Sequence, residues 1–166
     1  MKKICSILSA LPFFVAIGCS TTGVESTLRG TPIEITRLRS EPYSFTFYSG
    51  FDQPARLVIR DQPSWEAAWE RLYLRSRPVP PLPEIDFSRE VVVLVALGNR
   101  ATGGYGILID GAATTASEAT ILVRSISPGA KCGVTAALTQ PVDIARMTRR
   151  QIDVRFSERS EVQQCD

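Results

Sequence analysis

Val91-Val92-Val93-Leu94-Val95-Ala96-Leu97 is followed at once by Gly98-Asn99-Arg100-Ala101-Thr102-Gly103-Gly104-Tyr105. Seven consecutive apolar residues, four of them valine, favour a strand. Side chains alternate between the two faces of a sheet, so this strand is apolar on both. It belongs in the centre of a sheet with cover on each side. The glycine-rich segment 98–104 reads as a turn, and Tyr105 to Asp110 as the returning strand. Together these predict a hairpin with its loop at Asn99 to Gly104.

Upstream of this strand the apolar period is helical. Trp65, Ala68, Trp69, Leu72 and Tyr73 recur at three- and four-residue spacing after Pro63, so they share one face of a helix of about three turns. Asp61 or Ser64 can cap its start. Arg77-Pro78-Val79-Pro80-Pro81-Leu82-Pro83 ends it, because proline cannot continue a helix. That run reads as an extended connector back to the sheet. The helix is the natural cover for one face of 91–97, and its two tryptophans are expected in the core.

The remaining segments alternate apolar and polar residues between turn signals. Pro32–Arg37, Tyr43–Tyr48, Ala55–Arg60, Ala119–Ser127, Pro141–Met147 and Gln151–Ser157 are all candidate strands. Many strands and one helix imply a mainly β fold, an antiparallel β-sheet or sandwich with one packed α-helix.

The N-terminus carries an export signal. Lys2-Lys3 precede a largely apolar stretch from Ile4 to Ile17, then Gly18-Cys19. The stretch falls short of the roughly 20 apolar residues of a spanning helix, and its layout is that of a signal peptide. Ala16-Ile17-Gly18-Cys19 resembles the bacterial lipobox, with alanine where leucine is usual. That resemblance implies cleavage before Cys19 and acylation of its thiol. The chain then divides into a signal peptide (1–18), a lipidated Ser/Thr/Gly-rich tether (19–31) and a single β-rich domain (32–166). The expected location is the cell envelope, anchored to a membrane by the N-terminal lipid, and the outer membrane in a Gram-negative host because Ser20 rather than Asp follows Cys19.

Cleavage leaves 148 residues (166 minus 18) with 17 basic and 17 acidic side chains, 16 of the basic ones arginine. A neutral domain has no overall electrostatic drive toward nucleic acid or anionic lipid. Arg149-Arg150 is its only basic doublet. Of the four cysteines, Cys5 leaves with the signal and Cys19 takes the lipid. Cys132 and Cys165 remain in an oxidising compartment, where a disulfide is expected, against two free thiols or a metal site. Closing 132–165 is worth about 3–4 kcal/mol in the chain-entropy model.

Histidine is absent from the sequence, which removes the Ser-His-Asp and Cys-His arrangements and the usual His-bearing zinc sites. Phosphate-loop and nucleophile-elbow patterns are also missing. The expectation is a protein without catalytic residues, cofactor or metal. Its most informative segment is then Asn99, Arg100, Thr102, Gly103, Gly104 and Tyr105, a loop held by the most buried strand. One reading is a plain turn whose Tyr105 packs on the core. The other is a loop displayed to a partner, with glycine backbone open to close approach by another chain.

Val91 to Leu97 with the Thr102-Gly103-Gly104-Tyr105 signature resembles the C-terminal domain of the protease complex subunit PrcB family. The Trp65-Glu66-Ala67-Ala68-Trp69 helix, Pro128-Gly129 and Thr139-Gln140-Pro141 fit as well, so the resemblance spans roughly residues 43–157. It implies a lipoprotein accessory subunit associated with an exported protease, and not a protease itself. The same loop resembles that of chagasin-like cysteine-protease inhibitors on an immunoglobulin-like sandwich. There Arg100 replaces a proline and a glycine is inserted before Tyr105. Three readings follow: a binding or assembly module, an inhibitor using 99–105, and a structural envelope domain.

Overall fold

The computed structural model describes residues 28–38, 48–75 and 78–166. In chain order the elements are β1 (Thr31–Ile33), β2 (Ile35–Arg37), β3 (Pro54–Ile59), α1 (Gln62–Leu72), β4 (Glu90–Leu97), β5 (Gly106–Thr114), β6 (Glu118–Pro128), β7 (Val142–Thr148) and β8 (Asp153–Gln163). The strands form two four-stranded sheets, ordered β1-β5-β6-β8 and β2-β7-β4-β3. The fold is mainly β with one short helix, as the sequence implies. The expected strand at 43–48 lies almost wholly outside the described residues, as does Cys19.

β4 lies between β3 and β7, antiparallel to both. Val91, Val93, Val95 and Leu97 pack into the core between the sheets, opposite Ile107, Ile109, Ile121 and Val123. Val92, Leu94 and Ala96 join Val142 and Ile144 in a second core against Trp65, Trp69 and Leu72 of α1. The result is three layers: sheet, sheet, helix. Every β4 residue from Val91 to Leu97 is buried.

Asp61 caps α1, its carboxylate accepting from the Ser64 N–H at 2.9 Å. The backbone hydrogen bond holds the Asp61 carboxyl below the usual range. Trp65 and Trp69 are buried with ring centroids 5.2 Å apart. Each indole N–H needs a partner once buried. The Trp65 Nε1 donates to the Pro83 carbonyl and the Trp69 Nε1 to the Pro80 carbonyl, each at 3.0 Å. The proline-rich connector is thus a lid over the helix as well as a link to β4.

Three expectations are corrected. The strands 91–97 and 105–110 do not form a hairpin: β4 and β5 belong to different sheets, and 98–105 is a crossover between them. Period and turn residues are the same for a hairpin and a sheet-to-sheet crossover, so the sequence does not separate them. The last strand starts at Asp153 and runs to Gln163, and it pairs parallel to β6 along all 11 residues. The 32–37 segment is two strands, β1 and β2, which change sheets at Glu34.

That change of sheet leaves an edge to be satisfied. β1 pairs with β5 only at residues 112–114, so the backbone of Ile109 lies beyond its reach. Asp143 and Arg37 from the other sheet fill the gap. The buried Asp143 carboxylate accepts from the Ile109 N–H at 2.8 Å, and the Arg37 guanidinium donates to the Ile109 carbonyl at 2.8 Å. The two side chains also pair, at 3.4 Å. Ile109 is followed by a bulge at Asp110, which steps out of register. There Arg124 of β6 and Arg159 of β8 both bind the Asp110 carboxylate. Burial pushes that carboxyl up, but hydrogen bonds from Arg124 and Arg159, then their charges, hold it below the usual range.

The tryptophans therefore serve the core. Trp69→Ala is expected to cost about 3–5 kcal/mol, read as a lowered denaturant midpoint. A variant as stable as the parent would contradict the packing described.

Candidate functional site

At one end of the sandwich three connections meet: 48–53 before β3, 98–105 between β4 and β5, and 129–141 between β6 and β7. Gly98 starts the crossover with φ +75°, and a Cβ there would lie 2.9 Å from the Gln53 carbonyl carbon. Only glycine accepts both the left-handed backbone and the close neighbour. The Asn99 N–H donates to the Asp52 carbonyl at 3.0 Å.

The crossover is next bound to the chain entering β7. Arg100 and Thr139 exchange two backbone hydrogen bonds, at 2.8 and 2.9 Å. The buried Thr139 hydroxyl donates to the Thr102 carbonyl at 2.9 Å. Gln140, 8% exposed, joins all three connections: its Oε1 accepts from Gly50 N–H at 2.9 Å and its Nε2 donates to Asn99 Oδ1 at 2.8 Å. Buried amides of this kind specify one arrangement when fully satisfied.

The glycine pair has a different purpose from the one its sequence suggests. Gly103 is buried and its N–H donates to the Thr135 carbonyl at 2.9 Å. Gly104 has φ +84°, and a Cβ on it would lie 2.9 Å from Val134 Cγ1 and 3.0 Å from Pro128 Cβ. The chain that approaches these glycines is the protein's own 134–135 segment, which corrects the expectation of an open backbone. The 133–138 segment is accordingly an outer loop of this end, where Val134 is 39% and Leu138 42% exposed. Cys132 and Cys165 are joined with Cα atoms 5.0 Å apart, so the base of this outer loop is fastened to the C-terminal tail. The Gly129 N–H, donating to the Gln163 carbonyl at 2.8 Å, holds the same junction.

Tyr105 is neither fully buried nor free of the core. It is half-buried and packs on the core between the sheets, and the Arg100 guanidinium lies 5.7 Å from its ring centroid. The two line a cleft of about 130 Å³ together with Leu97, Ser125, Ser127 and Ser160. Asn99 and Ala101 are exposed, Arg100 and Thr102 half-buried. The nearby Glu158 and Glu161 carboxylates are held by Arg56 and Arg124. Among the described residues, no three His, Cys, Asp or Glu side chains gather as a metal site would need.

The sequence reading missed Val134, Leu138, Thr139 and Gln140 as members of this end. Gly133 to Leu138 has neither a strand nor a helix period, so no element was assigned to it.

Residues 91–148 match the family model described as PrcB C-terminal. The match supports the resemblance carried by Val91 to Leu97 and Thr102 to Tyr105, over a shorter stretch than 43–157. It runs from the first core residue of β4 to the end of β7, so both the 98–105 and 129–141 connections lie inside it. PrcB C-terminal is not a known catalytic family. Neither a curated protein nor a solved structure matches the chain.

The two kinds of glycine here separate experimentally. Gly104→Ala forces a side chain into left-handed backbone against Val134 and is expected to cost at least about 1–3 kcal/mol. Gly133 has open space around it and no positive φ, so Gly133→Ala should change stability by less than about 1 kcal/mol. Thermal unfolding of both variants checks this, and equal effects would contradict the packing of 134–135 on Gly104.

Proposed function

We propose that the chain is a lipid-anchored envelope protein whose PrcB-type segment is a non-catalytic binding or assembly module for an exported protease. The observation that carries this reading is the coincidence of two things. The stretch matched by the PrcB C-terminal family contains two of the three connections that make the tied loop end. That end also presents Val134 and Leu138 on an outer loop fixed by hydrogen bonds and a disulfide. A surface already held in one conformation loses little entropy on binding.

The anchor fits this arrangement. Thr31, the first residue of β1, pairs with Thr114 at the far end of β5, whereas the 98–105 connection enters β5 at Gly106. β1 therefore begins at the end opposite the loops, with Leu28 turned back against Gly111 of β5. A lipid at Cys19 would leave the loop end facing away from the membrane and toward a partner.

An inhibitor that inserts 99–105 into a protease cleft is less well supported. The Gly103 N–H and the Thr102 carbonyl are already bonded internally, and 134–135 lies against the glycines.

The test is recovery of the protein from its own membranes. The mature chain should begin at Cys19 with acyl mass and should bring down an exported protease. Arg100→Ala with Thr102→Ala, and separately Val134→Asp with Leu138→Asp, should each weaken capture by about tenfold or more. Thermal unfolding should stay close to that of the parent. Undiminished capture by both pairs would remove this end as the binding surface.

A further inference from the structure

The end opposite the loops carries an uneven distribution of charge that the neutral total conceals. Arg60 follows β3 directly, Arg149 and Arg150 follow β7, and Asp153 opens β8. The fold brings them together around an open depression of about 310 Å³. Other carboxylates at this end are engaged: Glu90 pairs with Arg146, Asp86 with Arg89 and Glu118 with Arg155. Asp61, next to Arg60, is bound to the Ser64 N–H. Among the described residues Arg60 and Arg150 form no ion pair. Arg149 donates from Nη1 to the Phe87 carbonyl and pairs with no carboxylate. The lining of the depression thus holds three guanidiniums and one carboxylate, that of Asp153, and the exposed Glu34, opposite Thr148 in the register, is the nearest further carboxylate at this end.

The depression also lies at the end where β1 begins. Thr31 pairs with Thr114, Thr114 with Ala119, and Ala119 with Val154, the neighbour of Asp153. That row is three strand spacings, about 14 Å. From Cys19 to Leu28 the chain can reach no more than about 30 Å. A lipid at Cys19 would keep the Thr31 end of the domain within about that distance of the membrane.

We propose that the Arg60–Arg149–Arg150 depression binds the phosphate groups of anionic lipids in the membrane that holds the chain, and so sets which way the domain faces. This rests on the lipid anchor proposed above. Arginine is the side chain suited to the role, because its planar fork donates two parallel hydrogen bonds to phosphate oxygens. With a lipid tether already confining the domain to the surface, a few such contacts are enough to select one orientation.

The experiment uses the mature protein purified from membranes, its acyl mass checked first, and placed in lipid nanodiscs. One set is phosphatidylcholine alone and the other includes phosphatidylglycerol. Backbone hydrogen exchange is followed in peptides covering 58–62 and 148–153, with 99–105 as reference. Slower exchange in the first two peptides on the phosphatidylglycerol discs, with the reference unchanged, is the expected result. Arg60→Gln with Arg150→Gln should abolish the slowing and leave thermal unfolding as in the parent. Equal exchange on both discs overturns the proposal, as does slowing that survives in the variant. If inorganic phosphate slows these peptides on phosphatidylcholine discs and phosphatidylglycerol does not, the depression is a site for free phosphate and the membrane role is wrong. If the mass shows no acyl chain, the anchor fails on its own. Vesicles of the same two compositions, added to the unacylated protein, then decide the depression by the same exchange readout.

Discussion

A strand with no polar face constrains everything around it. Val91 to Leu97 are buried to a residue, so β4 requires a packed layer above and below. The facing sheet supplies one and α1 the other, and each brings its own demands. The helix can cover β4 only by burying two tryptophans, whose indole N–H groups then hold the proline-rich connector against it. The facing sheet can be reached from β4 only by leaving the plane, and Gly98 to Tyr105 makes that step. The loop end of the sandwich is thus a direct consequence of how β4 is buried.

The crossing between sheets is the second recurring problem, and the chain meets it with polar side chains of unusual placement. Where β1 leaves for the other sheet, Asp143 and Arg37 take up both backbone groups of Ile109. Where β4 leaves, Gln140 and Thr139 take up Asn99, Gly50 and Thr102. In each place a side chain substitutes for the missing strand neighbour, as buried backbone groups require. Both sets lie around the start of β7, which ties the β5 edge and the loop end into one unit.

Much of this was legible in the sequence. The unbroken apolar run identified the central strand, the three- and four-residue spacing of Trp65, Ala68, Trp69 and Leu72 identified the helix, and of the two caps offered, Asp61 and Ser64, the structure uses Asp61. Elimination among four cysteines pointed to Cys132 with Cys165. What was not legible depended on contacts distant in sequence. A turn-rich linker between two strands looks the same whether they pair with each other or with others, so the β4–β5 hairpin was expected wrongly. The parallel β6–β8 pairing leaves no local mark. Gly103-Gly104 signalled a close approach correctly, but not that the approaching segment was 134–135 of the same chain. The Arg60–Arg149–Arg150 depression was hidden because a net charge sums over both ends of the molecule.

These features give the domain two different ends: basic groups at the end where β1 begins, and an internally fastened loop with exposed apolar residues at the other. The central claim is that the loop end meets the partner. Photo-crosslinking in intact cells tests it directly, with a photoreactive residue placed at Ala136 on the outer loop or at Glu66 on the exposed side of α1. The account predicts crosslinks to an exported protease from position 136 and none from position 66. Crosslinks from position 66 alone, or an absence of any protein partner at position 136, would contradict it.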